Sequence, residues 1–220
     1  MVTIVIESDE VNIPEWVTDL NSFRRWADSE DFPETGRICY LNGEVWVDMS
    51  KEQIFTHIDV KSEIVAVLRP LVKTERMGVL LGDDVFLSNV DVNFAVVPDA
   101  VFVSNAARQD RVRLLEGRKR GYVEMEGSPD MVLEVVSDSS VHKDTQQLRR
   151  CYWEAGIREY WLIDARKEPL VFDILRHTPK GYRASPKKDG WIKSNSFGKS
   201  FRLTQATNES GDPEYTLDVR

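Results

Sequence analysis

Two acidic residues stand where acids are costly. Glu134 interrupts the apolar run Met131-Val132-Leu133-Glu134-Val135-Val136, and Asp99 follows Pro98 between the short apolar runs 93–97 and 100–104. An ionised carboxylate in a dry core costs several kcal/mol unless it is paired or bound to a metal. Glu134 therefore asks for a proton or a compensating cation. Two such acids on neighbouring strands could hold one hard divalent cation, Mg2+ or Mn2+, through oxygen ligands. An arginine partner, or a strand end open to water, would account for Glu134 equally, and spacing does not choose between these.

The elements that must position these acids follow from pattern. Ser22–Ala27 reads as a short amphipathic helix capped by Ser22, with Phe23 and Trp26 three apart. Arg37–Val47 holds two apolar-rich runs around Asn42-Gly43, the dipeptide that tolerates a type I′ turn, and predicts a β-hairpin. Ser50-Lys51-Glu52-Gln53 has capping-box spacing, and Ile54, Ile58, Val65, Leu68 and Val72 recur at helical intervals, predicting a helix to about Lys73 perturbed late by Pro70.

Segments 79–87, 93–97 and 100–104 read as strands, 105–129 as a long polar connection, and 131–136 as a central strand covered on both faces. Lys143–Ala155 predicts a second helix closed by Gly156, followed by strands at Glu159–Ile163 and Leu170–Leu175 joined through the loop 164–169. Short β candidates around Tyr182, Trp191–Ile192 and Phe201–Leu203 precede a polar, acidic end. The order predicts an α/β protein with a central mixed sheet flanked by helices. Its expected organisation is one domain over 1–220: an acidic arm (1–36), a core (37–175) and a C-terminal β extension (176–220).

Composition narrows the classes. At 220 residues, with 41% hydrophobic and 30% charged residues, a folded core is expected. No apolar run is long enough to span a membrane and the start lacks a signal-peptide pattern, so the expected compartment is the cytoplasm. Cys39 and Cys151 are the only cysteines, too few for a disulfide framework or a thiolate metal site. The net charge of −8 argues against indiscriminate coating of nucleic acid. It is unevenly spread: residues 1–36 carry nine acids against two bases, whereas 176–202 carry eight bases against Asp189. That basic stretch is either a solvated face or a surface for a polyanion.

The stretch Gly127-Ser128-Pro129-Asp130-Met131-Val132-Leu133-Glu134-Val135-Val136-Ser137, then Asp144, Tyr152, Ala155-Gly156-Ile157 and Glu159–Asp164, resembles the Uma family of restriction-endonuclease-like proteins, in the PD-(D/E)XK nuclease superfamily. Pro98–Val103, the hairpin Asn42-Gly43-Glu44 and His57 extend the resemblance over about residues 35–175. It implies a restriction-endonuclease-like fold and a metal-dependent endonuclease. Asp99, Glu134 and the Val135 backbone carbonyl would be the metal ligands, Mg2+ or Mn2+ the cofactor, and nucleic acid, DNA before RNA, the partner. By analogy with related nucleases that cut duplexes, it also suggests a homodimer.

The superfamily's usual lysine two residues after the glutamate is Val136 here, and the alternative position on the following helix is Leu148. Lys143 is the nearest substitute, its flexible stem able to return to the carboxylates, with a solvated surface lysine as the other reading. Gln147, one turn on, could orient a water. Glu44 is expected either near the pocket as an outer ligand or as a solvent-facing cross-strand residue. His57 reads first as a packed, hydrogen-bonded histidine, because a single His supplies no ligand spacing. Trp153, Tyr160 and Trp161 read as core or interface aromatics. A module that keeps the fold without cutting, binding nucleic acid or protein, is the rival expectation.

Overall fold

The computed structural model describes residues 11–119 and 121–220. The first ten residues of the expected acidic arm lie outside the described residues. Helix α1 spans Leu20–Ala27 and starts earlier than Ser22 suggests. Asp19 is the cap: its side chain accepts the Ser22 N–H, and the Ser22 hydroxyl oxygen, three residues on, accepts the Asp19 N–H, closing a reciprocal box. Phe23 and Trp26 are fully buried below it.

Strands β1 (Arg37–Leu41) and β2 (Glu44–Asp48) form the expected hairpin, with Asn42 and Gly43 both at positive φ, as a two-residue I′ turn requires. Ile54–Asp59 is then a π-helical segment, the Ile58 N–H donating to the Gln53 carbonyl five residues back, and α2 (Val60–Thr74) continues from it with Pro70 inside. Ser50 does not cap this helix; its N–H bonds the Asp48 carboxylate instead. The expected core positions Ile54 and Ile58 are 68% and 40% exposed. A π turn holds extra chain, which turns the following side chains out of α-helical phase. The buried stripe consequently becomes Val60, Ile64, Leu68 and Val72, and His57 rather than Ile58 turns inward.

The single apolar run at 79–87 is two strands in different sheets, β3 (Gly78–Gly82) and β4 (Phe86–Asn89), separated by Asp83 and Asp84 at positive φ. β5 (Phe94–Val96) and β6 (Ala100–Ser104) follow as expected. The polar stretch 105–129 is structured rather than a loop: α3 (Asn105–Asp110), β7 (Val112–Glu116) and β8 (Tyr122–Gly127). Its charges fall on one face, where Arg113 pairs with Glu126 and Arg24 of α1 reaches both Glu124 and Glu126, so their number concealed a one-sided strand alternation.

β9 (Met131–Val135) is buried along its whole length. A second π-helical segment, Lys143–Leu148, runs into α4 (Arg149–Glu154), and Gly156 takes positive φ after it. β10 (Glu159–Asp164), β11 (Val171–Thr178), β12 (Gly181–Ala184), β13 (Lys187–Lys188), β14 (Trp191–Lys193) and β15 (Ser200–Thr207) complete the expected β segments. The polar end is also a strand, β16 (Pro213–Val219), whose alternating Tyr215 and Leu217 face inward.

Three mixed or antiparallel sheets result, in the orders β2-β1-β5-β4-β8-β7, β12-β11-β10-β9-β6-β3 and β13-β14-β15-β16. The second is central. One face packs Leu133, Val135, Trp161 and Ile163 against α2 and the C-terminal sheet; the other packs Val101, Val132, Val136 and Tyr160 against the first sheet and α4. No helix among the described residues is long and apolar enough to cross a membrane.

Where β10 ends, the Asp164 carboxylate is nearly buried and receives Arg166 Nε at 3.0 Å, Arg166 Nη2 at 3.1 Å and Lys167 Nζ at 3.1 Å. Burial pulls its pKa upward, but these cations outweigh it and hold it below the ordinary value. A depressed carboxyl pKa stabilises the fold above the unfolded value, and that contribution is lost as pH falls through the folded value. Asp164→Asn is expected to cost about 1–3 kcal/mol at pH 7. The deficit in chemical denaturation should shrink below about pH 4.

Candidate active site

β6 and β9 pair antiparallel with Ala100 opposite Leu133 and Val101 opposite Val132. Continuing that register one residue sets Asp99 opposite Glu134, at the end of the central sheet that faces the two π-helical segments. Strand order thus joins two acids that are 35 positions apart in the chain. Both are buried, Asp99 at 8% and Glu134 at 3% exposure.

Their surroundings differ. Asp99 Oδ2 accepts the Val135 N–H at 2.7 Å and lies 3.5 Å from His57 Nε2; its Oδ1 is 3.7 Å from Lys61 Nζ. Burial pulls the Asp99 pKa up, yet the hydrogen bond and charge of His57, the Val135 N–H and Lys61 together hold it below the usual carboxylate value. Among the described residues, Glu134 has no comparable set of donors. Tyr152 OH donates to its Oε1 at 2.6 Å. Burial pushes its pKa well above the ordinary value, Asp144 and Asp99 add to the rise, and Lys143 opposes it.

The two π-helical segments deliver the flanking groups. The first presents His57, whose Nδ1 lies 3.1 Å from Glu52 Oε2, and the helix after it presents Lys61, which also reaches Glu52 at 3.3 Å and Asp83 at 2.6 Å. The second presents Lys143, with Nζ 2.8 Å from Asp144 Oδ1. Asp144 is held in turn by the Ser140 hydroxyl, and its backbone carbonyl accepts Tyr160 OH at 2.9 Å. Burial would lower the Lys143 pKa, but Glu134 and Asp144 overcome it and keep the ammonium charged. Turns of this kind displace side chains from α-helical phase and recur at functional sites.

Asp99, Glu134, His57 and Lys143 therefore fall in one cluster. Glu44 is exposed at the start of β2, opposite Leu41, and no hydrogen bond or ion pair of the described residues joins it to that cluster. Gln147 turns to His142, with Nε2 to Nε2 at 3.2 Å, on the exposed side of its helix. Sequence reading missed Lys61, Glu52 and Asp83, and quoted Tyr152 without a role. His57 and Lys61 are four apart, a spacing that puts them on one helix face, and this was the signal available for Lys61.

A pocket of about 150 Å3 opens beside Lys143, lined by Arg37, Cys39, Trp46, Asp48, Val97 and Ser139 among others. Burial pushes the Cys39 thiol up to about 12, with Glu134 and Asp144 adding to the rise and Lys143 opposing it. Cys151 is raised as well, first by burial. Both thiols are expected to react with a maleimide at pH 8 at least about a hundredfold more slowly in the folded protein than in denaturant, because only the thiolate is nucleophilic.

Two facing carboxylates are hard oxygen donors of the kind Mg2+ and Mn2+ take, with water and phosphate oxygens completing the shell. The strain of burying Asp99, Glu134 and Asp144 together, visible in the raised pKa of Glu134, is the strain a divalent cation relieves. Among the described residues, no group of three or more His, Cys, Asp or Glu side chains forms a metal cage. The arrangement fits an open site with two protein carboxylates, not a closed structural one.

Comparison with known proteins agrees with this fold. A crystal structure described as that of "a putative nuclease belonging to DUF820 from Anabaena variabilis ATCC 29413" is similar at a TM-score of 0.58 and 19% identity, covering 82% of this chain and 90% of that one. No curated protein matches by sequence. The family model described as "Putative restriction endonuclease" matches residues 20–205. With most of its length matched, and a central mixed sheet of the nuclease-like kind, the chain belongs to the Uma2 family.

Proposed function

We propose that this chain is a metal-dependent nuclease that hydrolyses phosphodiester bonds in nucleic acid, DNA before RNA, with Asp99 and Glu134 as metal ligands. The observation that carries the reading is the placement of these two buried acids at the same end of the paired strands β6 and β9, beside a charged lysine. The Val135 carbonyl is assigned as a third ligand on the family resemblance. Mg2+ or Mn2+ bound there would polarise a phosphate oxygen and lower the pKa of a bound water.

The chain's own residues have separable tasks. His57, Lys61 and the Val135 N–H keep Asp99 ionised and fixed in direction. Tyr152 orients Glu134. Lys143, steered by Asp144 and Ser140, places a positive charge beside the carboxylates, where it stabilises negative charge developing on phosphate in a site with little water. His57 and Lys61 are thus positioning residues, and Lys143 substitutes from a different position for the superfamily lysine absent at Val136 and Leu148. Lys143→Ala is expected to lower the cleavage rate about a hundredfold, comparable to losing one preorganised electrostatic donor. Unchanged cleavage would remove Lys143 from the mechanism.

One observation favours a second reading, a nuclease-fold module that binds without cutting: Val136 and Leu148, at the usual lysine positions, are both packed in the core at 1% exposure. Incubating wild type and Asp99→Ala with plasmid and with DNA and RNA oligonucleotides, in Mg2+, Mn2+ or EDTA, separates the two. Metal-dependent cleavage by wild type alone supports the nuclease. Binding without cleavage by either protein supports the module, and equal cleavage by both overturns the site.

A further inference from the structure

A second polar pocket, of about 370 Å3, lies at the opposite end of the central sheet. Asp130 marks its position just before β9, roughly 13 Å along the strand from Glu134. Its wall includes Arg158, Arg176, His177, Asn195 and Ser196, the last two from the β14–β15 turn.

The charges around it do not balance locally. Arg176 on β11 pairs directly with Arg183 on β12, and on its other side with Glu159 on β10. Like charges directly opposite on antiparallel strands destabilise the pair. Glu159 would be the natural partner, but four donors already saturate it: Trp161 Nε1, the Ser194 hydroxyl, and the Asn195 and Ser196 N–H groups. No acid among the described residues forms an ion pair with Arg176 or Arg183, and the Arg176 Nε is buried with no hydrogen-bond partner. Asp130, the other acid of the pocket, is also committed, to the Ser104 N–H, Arg111 and Arg158. Arg158 gives Asp130 one nitrogen at 3.1 Å while its side chain stays 62% exposed, leaving donors of the fork unused.

A buried donor without an acceptor, beside a second guanidinium and an uncompensated arginine pair, is what an anion would complete. Arginine forks match the oxygens of phosphate in two-point geometry. We propose that this pocket is an oxyanion site that takes a phosphate group, with the guanidinium groups of Arg176 and Arg158 as its main ligands and the Asn195 side chain at its rim. The site is separate from the carboxylate cluster and does not depend on the nuclease reading. Two sources supply such a group, a phosphodiester of nucleic acid or free phosphate and its monoesters.

Calorimetric titration of inorganic phosphate at constant ionic strength, in EDTA so that no metal-dependent chemistry intervenes, tests it. Wild type is expected to bind one equivalent, and Arg176→Gln to bind about tenfold more weakly or not at all, the loss of one charged fork. Arg176→Gln should melt no lower than wild type, since it relieves the clash with Arg183. Should it fail to fold, Arg158→Gln, at a mostly exposed side chain, gives the same reading. Displacement of phosphate by an oligothymidylate lacking terminal phosphates assigns the phosphodiester source; failure to displace assigns free phosphate or a monoester. Absence of phosphate binding to wild type, or equal affinity in a folded variant, overturns the site. Mn2+ titrations run in parallel keep the two sites distinguishable, because Arg176→Gln leaves metal affinity at the carboxylates unchanged and Glu134→Gln leaves phosphate affinity unchanged.

Discussion

Glu134→Gln is expected to lower metal-dependent cleavage by about 100- to 1,000-fold while leaving the metal-free protein at least as stable as wild type at neutral pH. The loss follows from removing one of two anionic ligands, which withdraws several kcal/mol of stabilisation from the transition state at about 1.4 kcal/mol per tenfold in rate. The stability follows from the other side of the same geometry. Glu134 is buried, Tyr152 OH is its one hydrogen-bond donor among the described residues, and burial raises its pKa well above the ordinary value. A carboxyl with a raised folded pKa stabilises the fold below the unfolded value, and that contribution disappears as pH rises through the folded value. The wild type is therefore penalised at pH 7, whereas Gln keeps the acceptor for Tyr152 without the charge.

Thermal melts in EDTA and Mn2+ titration of both proteins read the two effects independently. A structural acid would show the reverse pattern, lower stability with unchanged metal affinity. A Glu134→Gln variant that cleaves within about threefold of wild type would remove Glu134 from the site.

Trp161→Ala is expected to cost about 3–5 kcal/mol, a large share of the 5–15 kcal/mol that keeps an ordinary domain folded. Trp161 has no exposed surface. Its ring lies 4.9 Å from Phe201, 5.5 Å from Phe197 and 5.5 Å from Phe172, all near edge-to-face. Its Nε1 donates to Glu159 Oε2 at 3.1 Å. Because Phe197 and Phe201 belong to the C-terminal sheet and its turn, the indole is where that sheet is fastened to the central one. Denaturant unfolding should show the lowered midpoint, and hydrogen exchange should show β14–β16 losing protection first. Trp161→Phe, which keeps most of the volume, should cost less than half as much. A loss under about 1 kcal/mol for the alanine variant would contradict the packing described.

Much of this was legible in the chain. The Asn42-Gly43 turn, the buried β9 run and the Gly156 terminus are local matters: a dipeptide that tolerates positive φ, a continuous apolar stretch, a residue without Cβ. The acids at 99 and 134 were conspicuous for the same reason, since each stands beside apolar neighbours that burial claims. Less was legible where two signals compete. The charges of 105–129 outweighed a strand alternation confined to one face, and the polar end hid β16. The helix after Ser50 was expected in the right place and with Leu68 and Val72 correctly inward, but its first turn was misread, Ile54 and Ile58 facing out, because periodicity assumes α-helical phase and a π turn breaks it. The basic stretch 176–202 illustrates a further limit. Three of its members are neutralised by distant acids, Lys187 by Asp173, Lys199 by Glu75 and Arg202 by Asp218, which a count along the chain does not reveal.

The sequence by itself determined the Asn42-Gly43 turn, the strands with continuous apolar runs and the presence of two acids in costly positions, because each depends on neighbours a few residues away. Only the tertiary structure decided that Asp99 faces Glu134 across a strand pair, that His57, Lys61 and Lys143 converge on them, and that Glu44 and Gln147 do not. Those are matters of register and helical phase. A shift of one residue in either exchanges the two faces of a strand or turns a helix by about 100°, and the energy that fixes them comes from the whole packed sheet.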